Sequence, residues 1–169
     1  GQRVDADGSL LDNPNTVADE TSPVVNFPIC TSTALNNHAG VAYHARADEY
    51  LVVWTQSYDI FGRVVDGNGD LLDVADTPED ESDPTVEFII ADPNAQVGAP
   101  DVTYNANFRQ YLVVWADARH QVGYETVYDI YGLRMGPGGV KAPQGEFAIS
   151  RAVADQAGPA VAYSTNSKQ

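Results

Sequence analysis

The sequence predicts an all-β protein made of tandem repeats, and three observations predict it. EYLVVW at residues 49–54 returns as QYLVVW at residues 110–115, a shift of 61 residues. The same shift carries Phe27 onto Phe88, Tyr43 onto Tyr104, and GQRVDADGSLLD at residues 1–12 onto GRVVDGNGDLLD at residues 62–73, without a gap. No stretch keeps a 3.6-residue apolar period, while Gly and Pro punctuate every connection. Self-similarity at a fixed period of this size marks a repeat architecture.

The elements follow in order within each repeat. Residues 40–43 begin an apolar stretch broken by the polar HARAD, and NANFR follows the equivalent residues 101–104, so a hairpin connection is expected there. Residues 50–54 form a continuous β-branched and aromatic run, the mark of a strand buried on both faces. A third strand spans residues 59–65 and ends in a turn, DGNGD at residues 66–70, matched by DADG at 5–8 and GPGG at 136–139. Gly, Asn and Asp tolerate the positive φ that tight hairpins demand. A short fourth strand carries the repeated Phe, as EFII at 87–90 and EFAIS at 146–150.

The third copy is shorter. YDIFG at residues 58–62 returns as YDIYG at 128–132, and the 16-residue spacing from Phe27 to Tyr43 recurs from Phe88 to Tyr104 and from Phe147 to Tyr163. The expected organisation is a partial repeat over 1–39, full repeats over 40–99 and 100–158, and the first strand of a further repeat over 159–169. Both termini then fall inside a repeat. A longer array, or another chain, is expected to supply the strand corresponding to residues 50–61, and any signal peptide would lie upstream.

YLVVW, the DI(F/Y)G strand, the Gly-rich turn and the following Phe resemble repeats of secreted bacterial and archaeal β-propeller proteins, over nearly the whole chain. The resemblance implies four-stranded antiparallel propeller blades. Three repeats are too few to close a propeller of four to eight blades. The alternative is an open β-repeat stack in a fibre, one subunit's missing strand being donated by its neighbour. The WD-repeat signature and the Asp-box pattern are both absent.

The 24 acidic residues against nine basic ones give a formal charge of −15. Phosphate binding needs a basic face, so nucleic acid is excluded as a partner. Seventeen of the acids are Asp, which suits a protein kept soluble by surface carboxylates outside the cell or in high salt. No run of 18 apolar residues predicts a membrane span. Cys30 is the sole cysteine, so an intrachain disulfide and a Cys-based metal site are excluded.

The candidate sites lie in the connections. Asp66, Asn68 and Asp70 alternate as in calcium loops, and Asp5 with Asp7 repeats the idea. No Glu stands at the twelfth position and residues 136–139 carry no carboxylate, so calcium competes with a plain hairpin turn. The loop at 73–83 holds six acids in eleven residues and reads as a solvated acidic face. Asp59 and Asp129 recur before the same strand, which predicts a structural role in satisfying nearby donors. Loop 116–128 is nine residues longer than its counterpart. Insertions on one rim of a repeat fold often carry the binding surface, which makes Asp117, Arg119, His120, Tyr124 and Glu125 candidates for a glycan or subunit contact.

His38, His44 and His120 share no metal-ligand spacing, and no GxSxG, HExxH or phosphate loop is present. Trp54 and Trp115, within the most apolar strand, are expected in the core. The sequence thus points to a non-catalytic extracellular or cell-surface repeat protein, structural or adhesive. Its expected partners are copies of itself or further repeats of a longer propeller chain. The alternatives are a glycan-binding, lectin-like module and a fragment of a secreted hydrolase.

Overall fold

The computed structural model describes residues 1–4, 7, 10–11, 27–72, 87–122 and 125–165. The protein is all-β, and its strands pair antiparallel. The strands are β1 (Arg3–Val4), β2 (Leu10–Leu11), β3 (Asn36–His44), β4 (Glu49–Gln56), β5 (Asp59–Asp66), β6 (Leu71–Leu72), β7 (Phe88–Ala91), β8 (Asp101–Asn105), β9 (Gln110–Asp117), β10 (Gln121–Val122), β11 (Glu125–Thr126), β12 (Asp129–Met135) and β13 (Phe147–Ser150). Among the described residues no helix is long and apolar enough to cross a membrane.

Two up-and-down sheets carry the architecture. Sheet 1 runs β3-β4-β5, and the outer edge of β5 is shared by β7 at one end and β6 at the other. Sheet 2 runs β8-β9-β12-β13. The repeat is visible in the details of each. The turns after β3 and β8 both close with a left-handed residue, Asp48 and Arg109, each at φ 53°. A register shift falls between Ile60 and Phe61 in sheet 1 and between Ile130 and Tyr131 in sheet 2. Gly62 pairs with Phe88, and Gly132 with Phe147.

The Gly of DI(F/Y)G has a steric cause. A Cβ on Gly62 would lie 2.9 Å from the Phe88 ring, one on Gly132 would lie 3.3 Å from Phe147, and one on Gly1 would lie 2.7 Å from Phe27. The repeated Phe lies across the repeated Gly, so the two motifs are one packing unit. Phe27 N–H donates to Gly1 O at 3.0 Å, which extends the pattern to the first repeat. There β1 and β2 form a two-stranded sheet with Arg3 opposite Leu11, the counterpart of Val64 opposite Leu72.

Sheets 1 and 2 stack face to face, and the principal core lies between them. Leu51, Val53, Ile60, Val64 and Ile90 of sheet 1 meet Val102, Tyr111, Val113, Trp115, Leu133 and Met135 of sheet 2. Alternation along each strand sends Tyr111, Val113 and Trp115 into this core, whereas their counterparts Tyr50, Val52 and Trp54 look the opposite way. Val52 and Trp54 pack on Phe27 and Val65 in a second, smaller core. Both tryptophans are buried, as expected. Tyr50, expected inside a doubly buried strand, is instead 36% exposed because its face is incompletely covered.

The GPGG segment, expected as a tight hairpin turn like DGNGD, takes a 3₁₀ form. Pro137–Gly139 forms a 3₁₀ turn against sheet 1, where a Cβ on Gly139 (φ 78°) would stand 2.9 Å from Phe88. This third turn packs on protein, which explains its lack of carboxylates. Residues 159–165 follow sheet 2 without regular strand pairing, and Val161 N–H donates to Asp101 Oδ2 at 2.8 Å.

Candidate functional site

The site is built on the paired ends of β9 and β12. Antiparallel register sets Asp117 directly opposite Asp129, on the face that also carries Trp115 and Tyr131. Like charges placed opposite each other on adjacent strands repel, and both carboxylates are fully buried. Each has its own partner, and the longer loop between the strands provides both.

Asp117 is held by three groups. Trp115 Nε1 donates to Oδ2 at 2.9 Å, Arg119 N donates to Oδ1 at 3.1 Å, and the Arg119 guanidinium closes on the carboxylate with NH2 2.6 Å from Oδ2. Arg119 NH1 also reaches Glu146 Oε2 at 2.6 Å, and the guanidinium carbon lies 4.2 Å above the Tyr131 ring. Burial opposes the charge on Arg119, but Asp117 and Glu146 more than offset it and hold the guanidinium protonated. Arg151 approaches the same ring, at 5.4 Å.

Asp129 is held differently. His120 Nδ1 lies 3.2 Å from its Oδ2, and the histidine is 51% exposed while the aspartate is 0% exposed. Asp129 was expected to satisfy backbone or neighbouring donors, as Asp59 was. Its oxygens take no hydrogen bond from the described residues, and the His120 imidazole is the polar group beside them. A half-exposed imidazole oriented by a buried carboxylate can exchange a proton or hydrogen-bond to a hydroxyl-rich ligand.

The structure therefore brings together Asp117, Arg119 and His120 of the expected rim group and adds Asp129, Glu146, Trp115 and Tyr131. Glu125 lies in β11 of a small hairpin with β10, and Tyr124 falls outside the described residues. Glu146 was hidden in the strand motif EF. Its signal was position, since the first residue of β13 follows Glu146 and pairs next to β12.

At the opposite ends of the strands stand the turns read as a hairpin or a calcium loop. Asp66 Oδ1 accepts from Asn68 N and Asp70 N, both at 2.8 Å, and Asp66 N donates to Asp70 O. This is a self-capped hairpin turn. Asp7 occupies the equivalent turn and Asp5 falls outside the described residues. Among the described residues no group of three or more His, Cys, Asp or Glu is placed to hold a metal ion.

Two further polar clusters were missed by the sequence reading. Glu49 Oε1 accepts from Tyr111 OH at 3.3 Å and from Gly138 N at 3.1 Å, and His44 Nδ1 lies 3.3 Å away, with both acid and imidazole buried. Burial first, and then the Glu49 charge, push the Tyr111 phenol far above its ordinary range. Glu49 was identifiable as the one acid at a repeat position otherwise held by Gln110 and Gln169. The second cluster lines a cavity of about 470 Å³ with Tyr58, Asp59, Asp92, Asn94 and Gln96. Burial first, and then neighbouring Asp92, raise the Asp59 carboxyl above the usual carboxylate range.

No protein-family model, curated protein or solved structure matches the chain.

Proposed function

We propose that this chain is a non-catalytic structural or adhesive module of an extracellular repeat protein, its stacked sheets serving as blades of a propeller-like array. The observation that supports this reading is the equivalence of two faces. Tyr104 and Tyr111, whose ring centroids are 5.0 Å apart, are covered by sheet 1, while their counterparts Tyr43 and Tyr50, at 4.6 Å, stand 42% and 36% exposed. A repeat unit that buries one such face and presents another is suited to assembly. The acidic charge keeps the array soluble. Native light scattering together with intact mass spectrometry tests it. A heavy particle, or a polypeptide well above 18.2 kDa, is the expected result, and an 18.2 kDa polypeptide that stays monomeric at high concentration overturns it.

A glycan-binding rim is the second reading, favoured by the exposed imidazole of His120 above buried Asp129. Calorimetric titration with acidic and neutral oligosaccharides tests it. Loss of a measured heat in His120→Ala, with the fold intact, supports the rim, and silence across the panel removes it.

A further inference from the structure

The two sheets end differently at the rim where β5 and β12 begin. From the equivalent Phe88 and Phe147, Asp92 is the counterpart of Arg151 and Gln96 of Asp155, as Tyr58 is of Tyr128. In sheet 2 the segment after β13 folds back onto the strand start. Tyr128 N donates to Asp155 Oδ1 at 3.0 Å and Gln156 N to Tyr128 O at 2.9 Å, and Tyr128 is half-buried. In sheet 1 the corresponding segment is drawn the other way, onto the neighbouring sheet. Ala118 N donates to Gln96 O at 3.0 Å, Gly98 N to Ala116 O at 2.7 Å and Tyr128 OH to Gln96 Oε1 at 2.8 Å. Tyr58 is left 60% exposed, and a cavity of about 470 Å³ opens between Tyr58 with Asp59 on one side and Asp92, Asn94 and Gln96 on the other. Its far wall is fixed by those bonds and by Asn94 N donating to Asp92 Oδ1 at 3.3 Å, so the cavity is preformed and of a size that holds a small ligand.

The lining states what fits. Among the described residues around the cavity none is basic, and the chain carries a formal charge of −15, so a phosphate, sulfate or carboxylate would enter without a counter-charge. Burial first, and then the charge of Asp92 and a hydrogen bond with it, raise the Asp59 carboxyl, so the pair retains a proton and offers a donor beside its acceptors. Each hydroxyl of a sugar is likewise both donor and acceptor, and the two amides add further partners of both kinds. The exposed Tyr58 ring supplies an apolar surface with a polar edge, which matches the C–H face of a pyranose. Two carboxyls alone would suit a divalent cation as well, but the retained proton and the ring at the mouth favour the sugar. We propose that this cavity binds a neutral sugar residue, with vicinal hydroxyls on Asp59 and Asp92 and the apolar sugar face on Tyr58. The ligand class rests on the glycan-binding reading above, whereas the position is separate from the His120 rim.

The probes are the methyl glycosides of glucose, galactose and mannose, added at millimolar concentration to the whole chain and followed by saturation-transfer NMR and backbone amide shifts. Saturable shifts at Tyr58, Asp59 and residues 92–96 with at least one of the three are the expected result. Tyr58→Ala and Asp92→Ala, both at exposed positions, each weaken that binding about ten-fold without moving the melting curve, and His120→Ala leaves it unchanged. The uronic acid of the sugar that binds is held about ten-fold more weakly than its neutral parent. Binding that survives Tyr58→Ala and Asp92→Ala but is lost in His120→Ala overturns this site and keeps the glycan-binding rim. Calcium chloride that shifts the same amides and displaces the sugar overturns it in favour of a cation site. Silence of all three glycosides also overturns it, and the glycan-binding reading falls with it only where the oligosaccharides are silent too.

Discussion

Tyr50 and Tyr111 occupy the same position in the same six-residue motif, and one is 36% exposed while the other is 0% exposed. Their strands, their partner tyrosines and their hairpin turns match. What differs is the layer outside them: Tyr111 meets Glu49 and His44 across the sheet interface, and Tyr50 meets a groove. In a stacked repeat the energetic weight of a residue is thus set by its neighbour's sheet more than by its own. The rims repeat the lesson. Gln56 faces Asp59 in sheet 1, where Asp117 faces Asp129 in sheet 2, and only the second pair recruits an arginine and a histidine from an inserted loop.

The sharpest way to break this comparison is truncation of the two tyrosines. Tyr111→Ala is expected to cost about 3–5 kcal/mol, in the range of large buried aromatics, and Tyr50→Ala under about 1 kcal/mol, both read by urea denaturation. Equal losses would mean that the groove is filled in solution. At the rim, Asp117→Ala strips the Trp115 indole and Arg119 of their acceptor. With Arg119 partly exposed and its charge partly screened, the loss is expected near 2 kcal/mol, against less than about 1 kcal/mol for Gln56→Ala.

A smaller contrast concerns the glycines. An added methyl at Gly62 meets Ile90 at 2.7 Å and Phe88 at 2.9 Å, closer than the 3.0 and 3.3 Å contacts at Gly132. Gly62→Ala is expected to lower stability by about 1–3 kcal/mol and Gly132→Ala by less, and the reverse order in thermal melts would show that the Phe88 ring yields more easily.

The smallest effect is titrational. Asp59 has its folded pKa raised, so its contribution is complete at pH values below the unfolded carboxylate value and is lost as pH rises through the folded one. Asp59→Asn keeps the neutral form at every pH. The variant is therefore expected to exceed the parent modestly in urea midpoint at pH 7 and to match it near pH 3. A gap that stays constant across this range would assign the effect to packing.

The fold class was legible because it rests on local rules. The continuous β-branched and aromatic runs in β4 and β9, Gly and Asn in the 66–70 turn, and a 61-residue period state strands, turns and repetition independently, and they agree. The fourth strand was placed by its Phe, and the structure adds the cause, the ring lying across the repeated Gly. Two features escaped. The pairing of β6 beside β7 depends on short strands with little pattern, and the 3₁₀ turn at Pro137–Gly139 depends on sheet 1 lying beneath it. At the rim, the insertion pointed to Asp117, Arg119 and His120, because a departure from the repeat is visible in sequence. That Asp129 needs His120, and that Glu146 completes the arginine's shell, follows from cross-strand register, which residue types alone do not state.

The Glu49 carboxylate has a consequence for how the molecule comes apart. It belongs to sheet 1 yet takes hydrogen bonds from the Tyr111 hydroxyl of β9 and from the Gly138 amide in the 3₁₀ turn after β12. Sheet 2 cannot peel away without breaking both hydrogen bonds and opening the shared core. Opening one sheet exposes the apolar face of the other, so the two are expected to melt as a single cooperative unit. The amides of β4 and β9 are then expected to share one free energy of opening, read by hydrogen exchange.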